Sequence, residues 1–91
     1  MKVAVSEHSG LAGVAHWINS YFGLEGDHKI DKRSEVVVKL REWVDAQVAE
    51  GRQTIFGDLE LEHALHSLMP NEWKRLHSYK RARARRKERQ R

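Results

Sequence analysis

Histidine is the side chain in this sequence best suited to acid–base or metal chemistry, and the chain has 6 of them. His63 and His66 lie about one helical turn apart, with Glu62 adjacent, a spacing at which a helix could offer two ligands to one metal ion. The sequence places no third ligand and lacks the His-Glu-x-x-His order. We therefore predict no metal site, and no order of Ser, His and Asp is specific enough to predict catalysis.

The stretch from Glu7 to Gly13 is unusual because a Glu-His-Ser-Gly run opens a helical pattern. Gly10 and Gly13 are poor helix formers, each costing about 1 kcal/mol relative to alanine. Glycines at such positions let another backbone or an anion approach the helix start closely. Two interpretations stay open: a tight crossing between helices, or a surface that touches a ligand or a neighbouring active site.

Positive charge is concentrated at the C-terminal end. The chain has 17 Lys+Arg and 13 Asp+Glu, a net charge of +4, but residues 1–69 are acidic by 4 charges and residues 70–91 are basic by 8. Such a tail can neutralise nucleic-acid phosphates. In that interpretation the contacts would come from Arg81, Arg83, Arg85, Arg86 and Lys87. No aromatic side chain follows Tyr79, so base stacking is unsupported, and a solvated terminus without a partner is the simpler interpretation.

Hydrophobic periodicity predicts helices along most of the chain, in which Pro70 is the only proline. We expect helices over residues 9–22, 34–50 and 58–68. Residues 52–56 are expected to form a short extended connector. The predicted fold class is all-α: a small bundle of three core helices plus a basic, partly frayed C-terminal helix.

Capping residues mark the ends of these helices. Ser9 and Ser34 are the expected N-caps, because a hydroxyl there can accept from a free amide in the first turn. Gly23 and Gly26 are expected to stop the first helix, and Gly51 to follow the second as its C′ residue.

The fourth helix is predicted to begin at Pro70, where proline fits the first turn. Its apolar stripe ends at Tyr79, and the next position on that stripe is Lys80. We therefore expect packing to stop there. This gives two regions, a helical unit over residues 1–69 and a basic helix and tail over residues 70–91.

Composition excludes several classes of protein. With no cysteine there is no disulfide framework, thiolate zinc site or cysteine nucleophile. No apolar run approaches the roughly 20 residues of a membrane span, and no signal-peptide core is present, so a cytoplasmic location without membrane contact is expected. A core of this size buries little more than about 60% of the unfolded surface. Partner contacts, including a homodimer, are therefore expected.

The segments SEHSGLAGVAHWIN and EVVVKLREWVDAQVAEGRQTIFGDLELEHAL resemble the region that follows the catalytic barrel in the isopropylmalate synthase and homocitrate synthase family. Those enzymes carry a Lys-His-Ser-Gly element opening a helix, a charged second helix, and a closing Asp-x-Glu-Leu-like stretch after an apolar residue. The elements correspond here to residues 7–10, 35–50 and 55–61. The resemblance covers about residues 3–68.

The resemblance implies an accessory role. Enzymes of that family condense acetyl-CoA with a 2-oxo acid in a (β/α)8 barrel holding a divalent metal. A barrel needs about 250 residues, and the family's metal-binding His-x-His pair is absent from this sequence. No cofactor and no activity are therefore expected from this chain alone. It would act as a dimer-forming or lid-like domain on a catalytic barrel of the same or a neighbouring chain.

Four residues carry the implied site. His8, Ser9 and Gly10 match the His-Ser-Gly element, and His16 lies where some relatives have Tyr. The resemblance implies that His8 and His16 lie near the partner's substrate site, moving a proton or holding a carboxylate, with Ser9 and Gly10 as substrate contacts. Glu7 replaces the family's usual Lys. The alternatives are a basic-tailed helical nucleic-acid-binding module and a purely structural interaction domain.

Overall fold

Four α-helices and one two-stranded sheet make up the structure, a computed structural model that describes the backbone of residues 4–89 and the side chains of residues 4–85. The strands are β1 (Val5–Ser6) and β2 (Ile55–Phe56), and the helices are α1 (Leu11–Phe22), α2 (Glu35–Ala49), α3 (Asp58–Leu68) and α4 (Pro70–Arg89). A single 3₁₀ turn covers Gly26–His28 within the described range. The prediction of a small all-helical domain is confirmed.

The sheet ties the start of the chain to the connection between α2 and α3. Val5 lies opposite Phe56 and Ser6 opposite Ile55, in antiparallel register. Backbone hydrogen bonds of 2.9 and 2.8 Å flank this pairing. Val5 and Phe56 are both 1% exposed, so the pair is anchored in the core. The sequence predicted the extended connector but not the strand that pairs with it.

The start of α1 corrects one prediction. Gly10 is the N-cap residue, and Ser9 lies outside the helix. The Ser9 hydroxyl accepts from the backbone N–H of Ser6 at 3.1 Å, so it is used to close the preceding turn. Ser34 is the N-cap residue of α2 as predicted, although its side chain makes no capping hydrogen bond.

Left-handed glycines end α1 and α2, as predicted. Gly23 has φ 67° and Gly51 has φ 71°. After Gly23, the backbone N–H of Leu24 donates to the carbonyl of Asn19, five residues earlier, at 2.8 Å. This is the six-to-one hydrogen bond of a Schellman motif. Leu24 is buried, which fixes the direction in which the chain leaves α1.

The core lies between α1, α2 and α3, with the sheet at one end. No polar or charged residue of the described chain is buried. Burial of each large aliphatic or aromatic side chain contributes about 1.5–3 kcal/mol. The fully buried side chains are Val5, Val14, Ile18, Phe22, Val37, Leu40, Val44, Phe56, Leu61, Leu65 and Leu76. Among the helices described, none is both long and apolar enough to cross a membrane.

Helix α4 packs on α3 and crosses α1. Leu76 is its buried side chain, and Trp73 and Tyr79 are half-buried against the core. At Lys80, where the predicted packing stops, the ammonium nitrogen lies 3.6 Å from the centre of the Tyr21 ring. A cation–π contact therefore continues the interface where the apolar stripe ends.

Arg83 ties the second half of α4 to the end of α1. Its guanidinium donates to the carbonyl of Gly23 and, at 2.5 Å, to the carboxylate of Glu25. A cation beside a helix C-terminus interacts favourably with the helix dipole. The expectation that packing stops after Tyr79 was wrong, because it counted only apolar side chains.

Arg83→Gln is expected to lower the free energy of unfolding by about 1 kcal/mol, because a cation hydrogen-bonded to a helix terminus is lost. Arg81→Gln removes the same charge from an exposed position of α4 and should change stability by less than about 0.5 kcal/mol. Urea unfolding followed by circular dichroism measures both. Equal losses in the two variants would show that Arg83 contributes only its charge.

Candidate functional site

The turn between β1 and α1 presents His8 to solvent. The Ser6 hydroxyl accepts from the backbone N–H of His8 at 3.3 Å, and the N–H of Ser9 donates to the Ser6 carbonyl at 3.0 Å. The His8 side chain is 88% exposed, with Nε2 3.5 Å from a carboxylate oxygen of Glu7. The turn is held by its own hydrogen bonds, and the imidazole at its tip is open to a second molecule.

The two glycines at the start of α1 have different roles. A Cβ at Gly13 would lie 3.0 Å from the Cβ of Ser9, so Gly13 lets this turn pack on the helix. A Cβ at Gly10 would meet nothing within 4 Å. The close contact that Gly13 allows is therefore between α1 and the turn before it. The open space at Gly10 lies beside the first amides of α1, which have no partner within the helix.

His16 lies in a groove where α1, the loop that follows it and α4 meet. The groove has a volume of about 300 Å³. His16 is exposed, and its Nε2 lies 3.4 Å from the hydroxyl of Ser20. The polar side chains that line this α1–α4 groove are those of His16, Asn19, Ser20, Glu25, Lys29 and Arg83.

Two polar clamps hold the walls of the α1–α4 groove. The Asn19 amide donates to the carbonyl of Ile30 at 3.0 Å and accepts from its N–H at 2.8 Å, which fixes the loop carrying Lys29 against α1. Arg83, bonded to Gly23, fixes the opposite wall. The groove is therefore formed by ordered contacts on both sides. Sequence analysis singled out His16 but missed this setting, since the clamps join residues 11 and 60 positions apart.

The structure places the predicted site residues on two separate features. His8, Ser9 and Gly10 belong to the turn, whereas His16 belongs to the α1–α4 groove, whose lining does not include His8. Their roles toward a substrate stay predictions.

A polar ladder joins α1 to α3. The indole N–H of Trp17 donates to Asp58 at 2.9 Å, and the hydroxyl of Tyr21 donates to Glu62 at 2.6 Å. Trp17 and Tyr21 are four residues apart on α1, and Asp58 and Glu62 are four apart on α3. Each helix therefore presents its two polar side chains on one face. The sequence shows both spacings, but nothing local aligns one helix with the other.

Glu62 also reaches α4. Its second carboxylate oxygen lies 3.4 Å from the indole nitrogen of Trp73 and 3.9 Å from Nδ1 of His77. The rings of Trp73 and His77 stack with centroids 4.7 Å apart. Burial, followed by the hydrogen bond to Glu62, raises the pKa of Tyr21 to about 12. Glu62 thus connects three helices, a role that the sequence analysis missed.

The histidines considered for metal binding have other surroundings. The His66 ring lies 4.3 Å from the Trp73 ring, centroid to centroid, and His63 is exposed. Within the described residues, no group of three or more His, Cys, Asp or Glu side chains could hold a metal ion.

The basic side chains of α4 that the structure describes have different surroundings. Arg83 contacts α1, whereas Arg81 and Arg85 are exposed and line a shallow depression beside Ser78. The side chains of Arg86 and Lys87 lie outside the described residues.

Glu62→Gln is expected to lower the pKa of Tyr21 from about 12, because the variant removes the negative charge that opposes ionisation of the phenol. Ultraviolet titration in a Tyr79→Phe background isolates Tyr21, since the chain has 2 tyrosines. Glu60→Gln, which removes a charge from the same helix away from Tyr21, should leave the titration unchanged. The same decrease in the pKa of Tyr21 in both variants would contradict a specific contribution of Glu62.

The stability of the unaltered chain is expected to fall as pH rises from 10 to 12. The pKa of Tyr21 is about 12 in the folded chain against 10.0 for an unperturbed tyrosine. The unfolded state therefore releases its proton first, so the contribution is complete below pH 10 and is lost through this window. Urea unfolding at a series of pH values measures it, and a Tyr21→Phe variant that declines just as steeply would contradict the prediction.

Comparison with known proteins finds two citrate (Re)-synthases. The enzyme of Clostridium kluyveri is 40% identical over 68 residues, which are 75% of this chain and 15% of that protein. The enzyme of Syntrophus aciditrophicus is 41% identical over 66 residues, which are 72% of this chain and 10% of that protein. No family model and no solved structure matches the chain.

The chain thus spans 15% or less of the length of these two synthases. Their name places them among the synthases, and they are related to the isopropylmalate and homocitrate synthase family. The resemblance to that family is therefore confirmed as far as similarity to a related synthase goes. The chain is similar to one small segment of a citrate (Re)-synthase.

Proposed function

We propose that this chain is an accessory domain of an acyl-CoA-dependent condensing synthase and acts on a catalytic barrel of the same or a neighbouring chain. One observation carries the proposal: 40% identity over 68 residues to a segment that makes up 15% of a citrate (Re)-synthase. Similarity over most of this chain, but over so little of the synthase, supports a domain that works together with a larger body. The same observation favours this function over nucleic-acid binding.

The turn at His8 supports a role toward a second body. A side chain 88% exposed on a turn braced by Ser6 and Ser9 can enter another protein's cleft without refolding of this domain. Its imidazole would hold a substrate carboxylate or move a proton, since the two ring nitrogens can donate and accept hydrogen bonds. Ser9 and Gly10 would let a carboxylate approach the amides at the start of α1.

The resemblance implies that the divalent metal and acetyl-CoA would be held by the barrel. Bound there, they would supply activation of the 2-oxo acid and the acetyl group. The part of this chain would be to complete the rim of that site with His8 and His16.

Apolar side chains at the surface support packing on a partner, either the barrel or a second copy in a homodimer. Leu59 is 72% exposed and Ile55 is 45% exposed. Leu59 lines an apolar groove of about 410 Å³ together with Trp43 and Ala64. Clustered apolar surface of this kind is typical of an interaction site.

The proposal is tested with the barrel that accompanies this chain. Adding the chain should raise the rate of condensation, measured as release of the CoA thiol. His8→Ala and His16→Ala should each lower kcat by about tenfold or more. His28→Ala, an exposed histidine outside the proposed site, should leave kcat and KM unchanged.

Two results would contradict the proposal at different levels. A barrel fully active without this chain would exclude the accessory function. A barrel that needs the chain, but accepts His8→Ala and His16→Ala with unchanged kcat and KM, would exclude the proposed roles of these histidines.

A further inference from the structure

A concave surface runs along the crossing of α1 and α4, on both sides of the Arg83 side chain. One side is the α1–α4 groove of about 300 Å³. The other is a depression of about 290 Å³, lined by Lys80 and sharing Ser20, Gly23 and Arg83 with the groove. The two depressions are neighbours, and the Arg83 side chain lines both of them. We call the two together the crossing site.

Positive charge predominates in the crossing site. Its lining includes the cations Lys29, Lys80 and Arg83, and a single acidic side chain, Glu25. Arg83 lies 2.5 Å from Glu25, so the one negative charge is already paired. Lys29 is exposed and forms no salt bridge with any described residue. The positive charge of the site therefore exceeds what its own carboxylate can balance.

Hydrogen-bond donors accompany these charges. The guanidinium of Arg83 carries five N–H groups, and its contacts with Gly23 and Glu25 leave some of them free. The Ser20 hydroxyl and the His16 ring, 3.4 Å apart, add polar groups at one wall. Asn19 holds the loop carrying Lys29 in place, so the donors are positioned before any ligand arrives.

We propose that the crossing site binds a small ligand through a multivalent oxyanion group, either phosphoryl or polycarboxylate. Excess cations with adjacent N–H and O–H donors are the chemistry that recognises such a group. Each half of the site has a volume near the lower end of the usual range for small-molecule pockets, about 300–1,000 Å³. The crossing site shares His16 with the proposed function, but all of its residues belong to this chain, so binding is measured without the barrel.

The test uses the 91-residue chain at low ionic strength, where exposed charges are least screened. Inorganic pyrophosphate and tricarballylate are titrated separately, the first as a phosphoryl probe and the second as a tricarboxylate probe. Backbone NMR shifts locate binding, and calorimetry gives affinity. We expect shifts at Ser20, Gly23 and Lys29, weakening as salt is added. Binding by one probe alone identifies the source of the oxyanion.

Two lysines of the same loop region provide a matched pair of variants. Lys29→Gln should weaken binding by about fivefold, because it removes a cation of the site that neither a carboxylate nor an aromatic ring of the described residues engages. Lys32→Gln removes the same charge from an exposed position outside the site and should weaken binding by less than about twofold. Neither lysine forms a salt bridge with a described residue, so both variants should keep the fold.

The proposal would be overturned if neither probe shifted these resonances, or if Lys29→Gln and Lys32→Gln weakened binding equally. The second result would indicate general charge attraction. Either outcome leaves the accessory function untouched, because that function is measured on the barrel and not on the isolated chain.

Discussion

The arrangement of α1, α3 and α4 depends on the contacts that the Glu62 carboxylate makes with side chains of the two other helices. One oxygen accepts from Tyr21 of α1, and the other faces Trp73 and His77 of α4. Removing this half-buried acceptor leaves two donors, the Tyr21 hydroxyl and the Trp73 indole, without a partner, which costs more than one surface hydrogen bond. Because α1 also carries His16, this contact helps to fix the helix that forms one wall of the α1–α4 groove.

The charge of the C-terminal segment is used within the fold as well as at its surface. Lys80 covers the ring of Tyr21, and Arg83 caps the end of α1. These contacts bring cations from a basic segment onto a body that is acidic by 4 charges. The same two side chains also line the crossing site, together with Lys29 from the loop after α1.

Local patterns predicted the helices well, because periodicity, proline and glycine act over a few residues. Gly23 and Gly51 end their helices as expected. The prediction at Ser9 failed because a hydroxyl near a helix start can choose between two amides, and here it bonds to Ser6. The packing of Arg83 was missed because an arginine contributes nothing to an apolar stripe, although its aliphatic stem and charge both reach α1.

The sequence by itself determined the all-α class, the ends of most helices, the separation of acidic and basic regions, and the His-Ser-Gly element whose resemblance points to a condensing synthase. Only the tertiary structure decided that Val5 pairs with Phe56, that Glu62 joins three helices, and that Arg83 completes the groove beside His16. These contacts join residues tens of positions apart. No local spacing sets their register, because it depends on how whole helices pack.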